Sequence, residues 1–148
     1  DWSSDVCSSD LMMLAANGAE GTTKSEILKV FDVKDINAYN EYAKNLIDKY
    51  NMSEAVKMNV ANSIWLNSSI AGKNITFAKV YQDLIKQYYD GNAEVENEDD
   101  IAKKANQWIA EKTNGKIKNM LDEKQKASFL ALLVNTIFAF SVAVASIS

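Results

Sequence analysis

Residues 106–117 read Asn106-Gln107-Trp108-Ile109-Ala110-Glu111-Lys112-Thr113-Asn114-Gly115-Lys116-Ile117. With Ile101 and Ala105 just before them, Trp108 and Ile109 complete an apolar stripe at three- and four-residue steps, the mark of an amphipathic helix running to Lys112. Thr113-Asn114-Gly115 then stops it, because Asn and Gly tolerate the left-handed turn that closes a helix. At its start Glu98, Asp99 and Asp100 offset the helix dipole. That acidic run lacks the tight oxygen spacing and internal glycine of a calcium loop.

Downstream, Ile117, Met120 and Leu121 form a short apolar turn, and no charged residue occurs from Ala127 to Ser148. Two readings of this run stay open. About 20 such residues span a bilayer as a helix, which would make it a C-terminal membrane anchor. Ala127 to Phe138 equally suits a strand buried on both faces of a large sheet. Asn135, Thr136 and several serines weigh against lipid.

Upstream, Val56 to Leu66 has period two, with Met58, Val60, Ile64 and Leu66 on one face and Ala61, Ser63 and Trp65 on the other. Phe77, Val80, Tyr81, Leu84, Ile85, Tyr88 and Tyr89 form a helical stripe ending at Gly91, its tyrosines expected in the core. Ala93 to Glu96 is a short strand. Asp35 to Tyr50 is another helix, with Tyr39, Tyr42, Ala43, Leu46, Ile47 and Tyr50 recurring at three- and four-residue steps. Before it, Thr23 and Glu26 have capping-box spacing, and Leu11 to Ala16 ends a buried helix stopped at Asn17-Gly18. Helices first and strands later predict an α+β fold.

Asp1 to Asp10 shows neither helical nor strand period and lacks the basic start and apolar run of a signal peptide. It reads as a translated adapter or assembly scar, so residues 1–10, Cys7 included, are set outside the fold.

The 148 residues carry a net charge of −4, and every cation is lysine, which argues against nucleic acid. There is no histidine, so Ser-His and Cys-His nucleophile pairs and imidazole metal sites are excluded. No phosphate loop, nucleophile elbow or Cys-x-x-Cys pair occurs, and the expectation is a protein that is not an enzyme, with no catalytic residue, metal or cofactor. Asn51, Asn67 and Asn74 each begin an Asn-x-Ser/Thr tripeptide. Abundant Lys, Asn and Ile point to an AT-rich gene and a bacterial source.

The opening stretch resembles the segment through helix F of the serpin family, with Asn106, Trp108, Thr113, Gly115, Lys116 and Ile117 as the motif residues. Leu133-Val134-Asn135-Thr136-Ile137-Phe138 is similar to the third strand of the serpin central sheet A. Val60-Ala61-Asn62-Ser63-Ile64-Trp65 is similar to its second strand, and Gly18-Ala19-Glu20-Gly21-Thr22-Thr23 to the turn after helix B. The likeness covers Leu11 to Phe138 and implies an incomplete serpin fold, from the end of helix B to helix F with strands of sheet A. After Phe138 the family pattern is lost, and residues 139–148 read as a non-family tail of frameshifted origin.

Serpins are suicide inhibitors of serine or cysteine proteases. The resemblance implies a bait loop that is cleaved, held as an acyl-enzyme and inserted into sheet A as a new strand, dragging the protease with it. It places Asn135 in the shutter region, where a polar network governs sheet opening, and makes Trp108 core packing. The reactive loop and its scissile bond are expected to be absent from these residues. The chain alone is therefore expected not to inhibit, to fold poorly and to self-associate; no membrane contact is expected, and the parent is expected outside the cell or on its surface. A membrane-anchored protein and a non-inhibitory serpin-like binding protein are the alternatives.

Overall fold

The computed structural model describes the backbone of residues 2–52 and 56–141 and the side chains of residues 9–52 and 58–139. Among the described residues, nine elements follow in order: α1 (Trp2–Gly18), α2 (Gly21–Val30), α3 (Ile36–Asn51), β1 (Val56–Asn67), α4 (Ser68–Ala71), α5 (Lys79–Tyr89), β2 (Gly91–Glu96), α6 (Ile101–Lys112) and β3 (Ala131–Ser141). The fold is α+β, as expected.

The three strands form one sheet in the order β2-β1-β3. β1 runs parallel to β2, with Asn62 opposite Gly91, and antiparallel to β3, with Asn62 opposite Asn135. Because side chains alternate along β1, its two faces serve two cores. Ile64 joins Met13, Leu14, Ala43, Tyr81, Ile85 and Tyr89 from α1, α3 and α5. Ala61 and Trp65 face the other way, against Ile101, Ala105, Trp108 and Ile109 of α6. The result is helices, sheet and one helix across the back.

Several expectations are corrected. Of the two readings open for the uncharged run beyond Ala127, the strand is the one found: Ala131–Ser141 is laddered onto β1, and no helix among the described residues is long and apolar enough to cross a membrane. The ladder passes Phe138 and reaches Ser141; the rest of the predicted tail, 142–148, lies outside the described residues. At the other end, α1 begins at Trp2, where no helical period was read, and Asp10 within it is buried. The Thr23–Glu26 capping box does not form. Gly21, at φ +57°, starts α2 two residues earlier, so both threonines fall inside its first turn. Tyr42 is 56% exposed and Val80 80% exposed, since each lies on the flank of a stripe whose centre alone meets the core.

Candidate functional site

A polar relay crosses the middle of the sheet. Asn135 on β3 is half-buried, and its Nδ2 donates to Asn62 Oδ1 at 2.9 Å. Asn62 is fully buried, and its own Nδ2 donates to the Tyr89 carbonyl at 2.8 Å. Tyr89 ends α5, where Asp90 turns left-handed at φ +46° and hands the chain to β2. One carboxamide chain therefore ties β3, β1 and the end of α5 together. A buried amide without such partners would cost about 1–3 kcal/mol.

Tyr89 continues the relay through its side chain. Its hydroxyl donates to Asn40 Oδ1, and Asn40 and Asn17 exchange carboxamide bonds at 2.9 and 3.1 Å. Asn17 also donates to the Met13 carbonyl at 2.9 Å, closing off the end of α1. Burial pushes the Tyr89 phenol well above its ordinary range, and that of Tyr81, whose hydroxyl donates to the Leu14 carbonyl at 2.9 Å, up to about 12. Both therefore stay neutral donors.

Beside the relay, Tyr39 donates to Asp10 Oδ1 at 3.1 Å, while Asp10 Oδ2 has no hydrogen-bond partner. Burial raises this carboxyl from 3.8 to about 6, against the partial relief that Tyr39 gives. No group of three or more potential metal-ligating side chains occurs among the described residues.

On the other face, Asn106 knits α6 to the segment that leads back to the sheet. Its Oδ1 accepts from the backbone N–H groups of Met120 (3.0 Å) and Leu121 (2.9 Å). Its Nδ2 donates to the Leu121 carbonyl (2.9 Å) and to Glu123 Oε1 (2.8 Å). Thr113 is buried; its hydroxyl donates to the Ile109 carbonyl at 2.7 Å and accepts from Ile117 N–H at 3.1 Å. Gly115 takes φ +73° and returns its N–H to the Ala110 carbonyl at 2.7 Å. Trp108 is buried beneath α6, with the Lys112 ammonium 6.0 Å from its ring, whereas Lys116 and Ile117 are exposed.

The six motif residues thus sit together around the end of α6. Asn135 lies across the sheet from them, facing the α1, α3 and α5 side with Asn62. The period-two reading of β1 passed over Asn62; the signal was a polar residue between Val60 and Ile64 on an otherwise apolar face. Asn40 and Asn17 carried no local signal.

The chain matches the family model described as Serpin (serine protease inhibitor) over residues 4–141. It is 29% identical over 107 residues to Serpin B3 of Homo sapiens, covering 69% of this chain and 26% of that protein. It is 29% identical over 135 residues to an uncharacterized serpin-like protein of Methanosarcina acetivorans (86% and 30%). A leukocyte elastase inhibitor of Xenopus tropicalis is 28% identical over 143 residues (91% and 36%). The chain spans about a third or less of the length of these relatives. Those named are eukaryotic and archaeal, so a bacterial source rests on composition alone. Among solved structures, the thermophilic serpin tengpin in its native state superposes with a TM-score of 0.77 at 24% identity, over 92% of this chain and 34% of that one. Serpin48 of Tenebrio molitor does so at 0.76 and 25% identity, over 89% and 36%.

Proposed function

Because the chain belongs to the serpin family, we propose that it is the sheet-gating portion of a suicide inhibitor of serine or cysteine endopeptidases that works outside the cell or on its surface. The observation that carries this reading is the Asn135–Asn62–Tyr89 relay set beside the far edge of β3. Eleven register pairs and the relay hold β3 to β1, while no strand occupies β3's other side among the described residues. A strand entering the sheet would therefore find its ladder along that far edge, and β1 and β3 would move as one body.

The bait loop that the family likeness implies lies outside the aligned portion, so the 148 residues by themselves trap no protease. An unpaired edge also favours self-association of the chain. An adapter or assembly scar as the origin of residues 1–10 is supported by their lack of helical or strand period, although α1 runs through them from Trp2 to Gly18.

Residues 11–138, exchanged for the matching segment of an inhibitory serpin, test the proposal. The chimera is expected to form an SDS-resistant complex with its protease. A folded chimera that is merely cleaved as a substrate would overturn the reading. An SDS-resistant complex formed by the 148-residue chain alone would overturn the claim that it is not inhibitory.

A further inference from the structure

The tripeptides at Asn67 and Asn74 read alike in sequence, and folding makes them opposites. Asn67 is fully buried. Its Oδ1 accepts from the N–H of Ser69, the hydroxyl residue of its own tripeptide, at 3.0 Å. Its Nδ2 donates to the carbonyls of Ala127 (2.9 Å) and Phe129 (3.2 Å), so both amide hydrogens are committed. These bonds join the end of β1 to the approach of β3. A sugar on that nitrogen would remove one donor and would need space that the packing does not leave.

Asn74 is exposed, on a turn that the Ile75 N–H closes onto the Gly72 carbonyl at 3.0 Å, with Gly72 at φ +119°. Half-buried Ile75 anchors the turn, and Thr76 is exposed. Neither helix nor strand resumes until Lys79, so the tripeptide is an irregular surface segment of the kind N-linked sugars occupy.

We propose that Asn74 is an acceptor for an N-linked saccharide and that the fold withdraws Asn67 from the same chemistry. The donor is a sugar activated as a pyrophosphate ester, and a glycosyltransferase carries out the step. The Asn74 Nδ2–C1 bond forms as the C1–O bond to phosphate breaks. The electron pair leaves on the phosphate oxygen, and one amide proton passes to a base of the transferase.

The full chain is incubated with UDP-glucose and a soluble N-glycosyltransferase that acts on finished protein, and hexose is read at each site by peptide mass spectrometry. Synthetic peptides of residues 62–72 and 70–80 supply the intrinsic rate at each asparagine. Relative to those rates, Asn74 in the chain is expected to react at least about ten-fold faster than Asn67, which must wait for local opening. Thr76→Ala should abolish hexose at position 74 and leave the slow rate at Asn67 unchanged. Equal relative rates at the two sites, or no hexose on Asn74 in the chain, would overturn the proposal.

Discussion

Asn62 and Asn135 are direct register partners on β1 and β3, and the second donates to the first at 2.9 Å. The two are not equivalent. Asn135→Ala leaves one acceptor, Asn62 Oδ1, without its donor and should cost about 1 kcal/mol. Asn62→Ala leaves both the Asn135 amide and the Tyr89 carbonyl unpaired and should cost about 2 kcal/mol or more. The double variant should cost less than the sum. Urea unfolding followed by tryptophan fluorescence, with Trp65 on β1 as a reporter, gives the order; equal losses would contradict it.

Asp10 makes stability fall as pH rises. Its carboxyl titrates near 6 in the fold against 3.8 for the free group, so the folded chain holds the proton more tightly than the unfolded one. The contribution is fully present below pH 4, is lost as pH rises through about 6, and amounts to on the order of 3 kcal/mol. Asp10→Ala should unfold at higher urea than the parent sequence at pH 7.5, and the gap should narrow at pH 4.5 and close below pH 4. A gap that does not change with pH would show that Asp10 keeps its ordinary acidity.

Asn106→Ala removes four hydrogen bonds and leaves the Met120 and Leu121 N–H groups without their acceptor. A loss of about 2–3 kcal/mol is expected. Its local signature should be faster trypsin cleavage after Lys116, Lys118 and Lys124, while cleavage within α3 and α5 is less affected. Uniform acceleration over the whole chain would mean that Asn106 has no special hold on this segment.

Ile137, 38% exposed on the strand with the open edge, should report self-association. Ile137→Lys places a charge on that edge strand, which discourages pairing between copies. Sedimentation velocity should show less high-mass material for the variant. An unchanged distribution would place the association elsewhere.

The period of β1 was legible because a strand with two covered faces still alternates, and Ile64 and Trp65 do face different cores. The α6 stop was legible because Asn114 and Gly115 take the left-handed backbone that their chemistry favours. Tyr42 and Val80 share the stripes' spacing yet stay exposed, because spacing marks a stripe's centre better than its flanks. The partner of Asn135 lies 73 residues away and was set by strand register, which no local pattern carries. Asp10 was missed for a different reason: a polar segment without period gives no sign that a neighbouring tyrosine will enclose it.

The strand order β2-β1-β3 also bears on synthesis. β1 leaves the ribosome well before either neighbour, and β2 follows after a short crossover through α4 and α5. The parallel pair, α5 and α6 can therefore assemble on the nascent chain while one side of β1 is still bare. Translation must then continue to β3 before Asn62 receives the Asn135 amide, a long-range closure of the kind that slows folding. During that interval the buried asparagine of β1 faces water, until β3 pairs beside it and covers it.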